Sequence, residues 1–181
     1  NKTKRNIKLS FPQIVFDESE KIVYTQFINE IGNVSSRSWR FFMQELLKKH
    51  FGYDTFRPLQ EEIMQTVLQK KDALVLMPTG GGKSLCFQLP ALMFDGLTLV
   101  ISPLIALMKD QVDSLVENGI SAAFLNSTLT DDEIDGVQMR ALTGELKILY
   151  LAPERIASDG FQLFLSRLNV AFIAIDEAHC I

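Results

Sequence analysis

Short apolar runs alternate with helical patterns through residues 73 to 175 of this chain. Strands that alternate with helices predict a parallel sheet covered by helices on both faces. The last run is apolar without alternation, so we expect its strand to be buried on both sides. A chain of 181 residues fits one such domain with a full core. The predicted strands are Ala73–Met77, Leu97–Ile101, Ser121–Leu125, Lys147–Leu151 and Val170–Ile175.

The chain before residue 73 divides into two parts. Residues 1–38 carry no chemical motif, and we predict short strands there at Ile14–Phe16 and Ile22–Tyr24, followed by a linker. Helical spacing then predicts a helix from about Trp39 to His50, and Pro58 opens a second one. We therefore expect an N-terminal segment of unknown role at 1–38 and one domain at 39–181.

Composition excludes several classes of protein. The net charge of −4 argues against a chain that coats nucleic acid, although it leaves room for a local basic groove. No apolar stretch is long enough to span a bilayer, and the polar N-terminus is not a secretory signal. The two cysteines, Cys86 and Cys180, have neither metal-ligand nor disulfide-framework spacing. We expect no membrane partner and an intracellular location, in the cytoplasm, nucleoid or nucleus.

A glycine-rich loop, Met77–Ser84, joins the first predicted strand to the next predicted helix. Glycines let backbone N–H groups surround a phosphate, a lysine adds positive charge, and a serine hydroxyl can bind Mg²⁺. Methionine stands where the strict phosphate-loop pattern has its first glycine, so an ordinary glycine-rich turn stays an alternative. The candidate nucleotide-binding residues of the loop are Thr79, Gly80, Gly81, Gly82, Lys83 and Ser84.

An acidic pair, Asp176 and Glu177, directly follows the last predicted strand. Phosphate hydrolysis needs one carboxylate to hold Mg²⁺ and one base to orient the attacking water. A solvated acidic turn is the alternative for this pair alone. Because ligands of parallel sheets bind beyond the carboxyl ends of the strands, we expect the loop and the pair to form one Mg-nucleotide site. Lys83, Asp176 and Glu177 are the candidate catalytic residues.

The acidic pair belongs to the sequence Asp-Glu-Ala-His at residues 176–179, which resembles the box of superfamily 2 helicases. Together with Phe51–Gln60, Met77–Pro90 and Ser102–Val112, it is similar to RecQ-type DNA helicases. The resemblance extends over residues 39–181 and departs at Leu59, where a glycine is common. Shorter matching segments are Leu125–Thr128, Ala152–Arg155 and Cys180–Ile181.

The resemblance implies the first RecA-like lobe of an ATP- and Mg²⁺-dependent enzyme, a P-loop NTPase with a RecA-like parallel β-sheet, helices on both faces and an N-terminal helical lead-in. It implies 3′–5′ translocation on single-stranded or forked DNA, and a second lobe downstream that supplies arginines. Gln60 would bind the adenine edge, and Tyr53 and Arg57 would sandwich the base. A packing aromatic and a surface ion pair remain alternatives for Tyr53 and Arg57. His179 would link the nucleotide to DNA, or be a core hydrogen-bonding residue.

The resemblance also implies contacts with the DNA backbone after three of the predicted strands. For each of these residues a structural role, as a helix cap, an amphipathic helix or a helix-end ion pair, stays open. The candidate DNA-binding residues are Ser102, Lys109, Asn126, Ser127 and Arg155.

The first residue is Asn1, and the last, Ile181, comes directly after the acidic box, so we expect a fragment of a longer protein. This fragment alone is predicted to be nearly inactive, since the second lobe is expected to lie downstream. Two other classes of function remain open: an RNA or chromatin translocase with the same ATPase core, and a scaffold that kept the fold without turnover.

Overall fold

The computed structural model describes residues 21–27, 38–78, 80–156 and 159–178, with backbone only for 21–27, 38 and 159. The predicted strand at Ile14–Phe16 lies outside these residues. The strands are β1 (Lys21–Phe27), β2 (Ala73–Met77), β3 (Leu97–Ile101), β4 (Ala122–Leu125), β5 (Ile148–Leu151) and β6 (Val170–Ile175). The helices are α1 (Ser38–Leu46), α2 (Gln60–Leu68), α3 (Leu85–Ala91), α4 (Ile105–Glu117), α5 (Asp131–Leu142), α6 (Pro153–Ile156) and α7 (Asp159–Leu165).

The six strands form one sheet in the order β2-β1-β6-β3-β5-β4. Strands β6, β3, β5 and β4 pair in parallel. Strand β2 has the same direction as these four, because β1 is antiparallel to both β2 and β6. The carboxyl ends of β2 to β6 therefore meet at one edge of the sheet, which confirms the predicted α/β architecture.

Strand β1 departs from the predicted pattern. The sequence indicates a short strand at Ile22–Tyr24 in a separate N-terminal segment, whereas the structure has a strand at Lys21–Phe27 inside the sheet. Its antiparallel direction makes the sheet mixed rather than parallel throughout. The division of the chain at residue 38 stays a prediction.

Helices cover the sheet on both sides. Strand β5 shows this directly, because Ile148 and Tyr150 pack with α1 to α4 while Leu149 and Leu151 pack with α5 and α7. All four of these side chains are fully buried. Burial on β2 alternates instead, with Val75 and Met77 in the core and the side chains of Leu74 and Leu76 exposed. The sheet is thus buried on both faces at its centre and on one face at β2.

Several helix ends have the local chemistry that their residues favour. Helix α1 continues into a π-helical turn, Leu47–Phe51, that ends at Gly52 with a φ of 74°. Helix α5 begins with a capping box in which the Thr130 hydroxyl accepts a hydrogen bond from the Glu133 N–H. The Glu133 carboxylate in turn accepts one from the Thr130 N–H.

Two helix starts differ from the sequence prediction. Pro58 and Leu59 form a turn, and α2 begins only at Gln60, because Leu59 has a left-handed φ of 70°. A serine followed by a proline, Ser102-Pro103, predicts an N-cap and a first helical residue for α4. In the structure Leu104 is extended and caps the helix, which begins at Ile105.

Cys86 of α3 is buried and belongs to the hydrophobic core. Burial raises the pKa of its thiol to about 12, so the thiol is neutral at physiological pH. None of the helices within the described residues is long and apolar enough to cross a membrane.

Candidate nucleotide-binding site

The loop, the acidic pair and the segment before α2 line one cavity at the carboxyl edge of the sheet. Its volume is about 450 Å³. Nine of the residues singled out from sequence lie in its wall: Tyr53, Arg57, Gln60, Gly80, Gly82, Lys83, Ser84, Asp176 and Glu177. Thr79 is outside the described residues, and Gly81 lies in the same loop without lining the cavity.

The glycine loop has a backbone that other residues adopt only with strain. Gly80 and Gly82 have φ values of 78° and 82°. A Cβ on Gly82 would overlap the Gln60 Nε2, and a Cβ on Gly81 would lie 2.9 Å from the Pro78 carbonyl oxygen. The left-handed backbone at Gly80 and Gly82, and the close approach of Gly81 and Gly82 to Pro78 and Gln60, therefore favour glycine at all three positions.

Lys83 is buried at the base of this loop, with 8% of its surface exposed. Its Nζ donates hydrogen bonds to the carbonyl oxygens of Met77, at 2.9 Å, and Pro78, at 3.3 Å. A buried ammonium needs such acceptors, and an anion in the cavity offers a stronger one. The lysine side chain thus lies inside the loop and lines the cavity.

The segment before α2 is bonded to the loop. The Gln60 Oε1 accepts from the Arg57 N–H at 2.8 Å, and its Nε2 donates to the Gly82 carbonyl at 3.0 Å. The Arg57 guanidinium donates to the Gly80 carbonyl at 2.5 Å. Tyr53 is 55% exposed at the cavity rim. These bonds fix the loop relative to α2 and leave the tyrosine ring free to stack on a planar group.

The acidic pair lies at the end of β6, with Asp176 3% and Glu177 4% exposed. Asp176 N–H donates to the Ile101 carbonyl at 2.8 Å, which continues the pairing with β3. Glu177 has a left-handed φ of 53°, and its N–H donates to Asp176 Oδ1 at 3.1 Å. A non-glycine residue in this conformation is strained, and such strain is found where a side chain has to be aimed.

The pKa of the Asp176 carboxyl is raised above its ordinary value, although opposing causes act on it. Burial raises the pKa of its carboxyl, and the adjacent Glu177 carboxylate raises it further. Hydrogen bonds from Glu177 N–H and the Gln111 side chain, and the charge of Lys83, act in the opposite direction. A cation in the cavity would favour the ionised form of this carboxyl.

These residues fit a nucleotide with its Mg²⁺. Mg²⁺ is usually bound through one or two carboxylates together with substrate phosphates, rather than by an all-protein cage. Among the described residues, no group of three His, Cys, Asp or Glu side chains could hold a metal ion by itself. Asp176 and Ser84, the predicted metal ligands, both line the cavity and carry oxygens that can bind Mg²⁺ beside a phosphate.

Comparison with known families agrees with this geometry. The DEAD/DEAH box helicase family matches residues 57–181. The chain belongs to this helicase family. The predicted RecQ-type resemblance is confirmed by relatives named "ATP-dependent DNA helicase RecQ". The protein from Haemophilus influenzae is 57% identical over 136 residues, and the one from Bacillus subtilis is 50% identical over 139 residues.

A rat protein named "ATP-dependent DNA helicase Q1" is 44% identical over 151 residues. The three alignments cover 75%, 76% and 78% of this chain. They cover only 22%, 24% and 24% of the relatives. The matched region thus spans less than a quarter of the length of these three relatives.

The predicted DNA-binding residues of the helicase domain lie outside the cavity, at or after the carboxyl ends of β3, β4 and β5. Ser102 and Asn126 are each 1% exposed, and the Ser102 hydroxyl and the Asn126 Nδ2 have no hydrogen-bond partner among the described residues. Lys109 and Ser127 are exposed. Arg155 donates two hydrogen bonds to the Asn126 carbonyl, at 3.0 and 2.5 Å.

The cavity also contains side chains that the sequence did not single out. Gln88 of α3 and Gln111 of α4 line it beside the acidic pair. Gln88 is an amide within an otherwise apolar stretch of α3, and that isolated polar position was the available signal. Gln111 lies two residues after Lys109, on which the sequence argument relied instead. His179, predicted to couple nucleotide and DNA, lies outside the described residues.

Proposed function

We propose that this chain is the ATP-binding lobe of a RecQ-type DNA helicase. The whole enzyme would couple hydrolysis of Mg-ATP to 3′–5′ translocation and unwinding of DNA inside the cell. The proposal is supported by one observation above all: nine residues from three separate sequence motifs line a single cavity. It is supported further by relatives whose names include the words ATP-dependent DNA helicase.

Each residue has a role that its chemistry allows. Lys83 and the N–H groups of Gly80–Gly82 neutralise the phosphates, and Ser84 and Asp176 hold Mg²⁺. The metal, when bound, neutralises charge on the phosphate oxygens. Glu177 orients the attacking water. Most of this catalysis is positioning and electrostatic stabilisation rather than covalent chemistry.

The base-binding group would consist of Tyr53, Arg57 and Gln60. The tyrosine ring stacks on adenine, the guanidinium packs on the other side, and the amide pairs with the base edge. In the structure Arg57 and Gln60 are bonded to the glycine loop, so base binding and phosphate binding share one set of contacts. DNA contacts are proposed for Ser102, Lys109, Asn126, Ser127 and Arg155, and coupling for His179.

An ATPase assay on the full-length protein tests this function. Lys83→Ala and Glu177→Gln should each lower DNA-stimulated kcat by about a hundredfold or more, since each removes one electrostatic or base contribution. Matched controls are Lys71→Ala and Glu117→Gln, which make the same changes at exposed positions outside the cavity. They should keep wild-type turnover.

The nucleic acid added to the assay, DNA or RNA, distinguishes a DNA helicase from the other translocases. Single-stranded DNA should stimulate hydrolysis more than single-stranded RNA. Stronger stimulation by RNA would contradict the assignment to DNA. Unchanged turnover in both site variants would overturn the catalytic mechanism and leave a scaffold as the explanation of the fold.

A further inference from the structure

The five proposed DNA contacts are not equivalent in the structure. Ser127 is exposed in the turn that follows β4. Asn126, directly before it, is only 1% exposed. Arg155 of α6 is partly exposed, and its guanidinium is hydrogen-bonded to the backbone of residue 126. Exposure and hydrogen bonding therefore separate a residue that a phosphate can reach from residues that hold the turn.

Arg155 binds the first carbonyl of β4 beyond the strand pairing. Strand β4 pairs with β5 as far as Leu125, whose carbonyl accepts a hydrogen bond from the Ala152 N–H at 3.2 Å. The next carbonyl, that of Asn126, accepts from Arg155 Nε at 3.0 Å and from Arg155 Nη2 at 2.5 Å. Two donors of one planar group fix the direction of this carbonyl, and a lysine ammonium does not reproduce that geometry.

The side chain of Asn126 holds the other side of the turn. Its Oδ1 accepts from the Thr128 N–H at 2.9 Å and from the Thr128 hydroxyl at 2.8 Å. This is the pattern of an Asx-turn, in which a side-chain oxygen takes the place of a backbone carbonyl. Ser127 is thus the exposed residue between two fixed points, the carbonyl held by Arg155 and the amide oxygen bonded to Thr128.

A turn held in this way is suited to contact a nucleic-acid backbone. Phosphate oxygens accept hydrogen bonds from serine hydroxyls and backbone N–H groups as well as from charged side chains. Such bonds are directional, so they depend on the geometry of the turn. A turn that is already rigid also loses less conformational freedom on binding, which favours affinity.

We propose that Arg155 is a positioning residue that acts on DNA through the turn at residues 126–128, and that Ser127 makes the contact with the DNA backbone. The inference rests on the proposed DNA contacts of this edge of the sheet and gives Arg155 an indirect place among them. It predicts that DNA affinity depends on the geometry of the guanidinium, whereas the charge of Arg155 adds little to the salt dependence of binding.

The test is binding of a labelled single-stranded oligothymidylate to the full-length protein at several salt concentrations. Arg155→Lys keeps the charge and loses the two-donor contact, so we expect DNA affinity to fall about tenfold. Arg155→Gln also removes the charge. In both variants the slope of log affinity against log salt concentration should stay at the wild-type value. A direct phosphate contact would instead reduce the slope by about 0.7 in Arg155→Gln, and that result overturns the inference.

A double-mutant cycle tests whether Arg155 acts through the turn. Ser127→Ala should lower DNA affinity about two- to tenfold in the wild-type background, because one hydrogen bond is lost. In the Arg155→Lys background the same change should cost much less, since the turn is no longer held. Additive losses would contradict the inference. A lower Tm and less DNA bound at saturation, with a wild-type Kd in Arg155→Lys, would show a purely structural role and also overturn it.

The matched control is Arg167→Lys, the same change at an exposed position before the amino end of β6. It should keep the wild-type affinity and slope. If Arg155→Lys does not fold, Thr128→Val carries the test, because it removes the hydroxyl bond to Asn126 Oδ1 and keeps the N–H bond. We expect a smaller loss of affinity with an unchanged slope, and wild-type affinity in this variant would then overturn the inference.

Failure of the inference can be distinguished from failure of the proposed function. If DNA binds and stimulates hydrolysis in the wild type, but Arg155→Gln lowers the salt slope by about 0.7, the inference is wrong and the proposed function stands. If the wild-type protein does not bind single-stranded DNA, the proposed DNA helicase function itself fails.

Discussion

At the scale of single residues, Gly82 is where backbone conformation and space are both restrictive. Its φ is 82°, and a Cβ would overlap the Gln60 Nε2. Gly80 has a similar φ of 78° but open space around the Cβ position. We predict that Gly80→Ala costs about 1–2 kcal/mol of stability for the left-handed backbone. Gly82→Ala should cost more and should weaken nucleotide binding about tenfold or more, because the Gln60 Nε2 has to leave its hydrogen bond to the Gly82 carbonyl.

Urea unfolding and titration of a fluorescent nucleotide measure these two effects. Gly136→Ala is the control, since this glycine lies in α5 with an ordinary φ and open space. It should leave binding unchanged and raise stability by up to about 1 kcal/mol, as alanine favours a helix over glycine. Equal stability and affinity of the Gly80 and Gly82 variants would show that the Gln60 contact does not matter.

Individual residues could be predicted where their chemistry is local in sequence. The glycine loop and the acidic pair each occupy a few consecutive positions, and parallel strands bring their ends to one edge. Gln111 gives no such signal, because an amide within an amphipathic helix looks like any solvated position. Its partners, Gln88 and Tyr150, lie 23 and 39 residues away, so only the fold brings them together.

At the scale of elements, helix α5 depends on its capping box. The Thr130 hydroxyl and the Glu133 carboxylate each accept a hydrogen bond from the backbone N–H of the other residue. We predict that Thr130→Ala lowers the free energy of unfolding by about 0.5–2 kcal/mol. Thr143→Ala, an exposed threonine just past the other end of α5, is the control and should have a smaller effect. Thermal or urea unfolding of the variants measures both.

The pH dependence of the same cap follows from Glu133. Hydrogen bonds from the Thr130 N–H and hydroxyl lower the pKa of the Glu133 carboxyl below its ordinary value of 4.5. A depressed pKa in the folded state means that this stabilisation is present above pH 4.5 and is lost as the pH falls below it. The difference in Tm between wild type and Glu133→Gln should therefore shrink at acidic pH. A difference that grows there would contradict the cap.

Helix starts were less predictable than helix existence. Every helical pattern in residues 39–168 has its helix, but α2 and α4 begin two residues later than Pro58 and Pro103 suggest. A proline fixes its own φ and leaves the next residue undetermined. Leu59 adopts a left-handed φ of 70°, and Leu104 has an extended backbone. A leucine side chain does not indicate either conformation. Arg57 and Gln60 are hydrogen-bonded to glycines that lie 23 and 22 residues further along the chain. A local sequence pattern does not include contacts over such a separation.

At the scale of the whole molecule, strand order was beyond the reach of the sequence pattern. The apolar runs identify strands β2 to β6. Side chains alternate along a strand in the same way whichever strand pairs with it, so the pattern does not reveal the neighbouring strand. In the described sheet the antiparallel strand β1 lies between β2 and β6 and pairs with both. What could be predicted is the edge at which the strands end, because that depends only on their common direction. This is enough to place a site, though not to order the sheet around it.

The openness of the cavity bears on the activity of the 1–181 chain by itself. Tyr53 is 55% exposed and Arg57 is also exposed, so the base-binding side of the cavity faces solvent. If the proposed second lobe supplies an arginine to the phosphates, its absence costs about 10³–10⁵ in rate. We predict that chain 1–181 binds nucleotide weakly and hydrolyses ATP at least about a thousandfold more slowly than the full-length protein. Single-stranded DNA should not stimulate it. The background is set by the Lys83→Ala variant of the same chain, and DNA-stimulated turnover above that background would show that one lobe suffices.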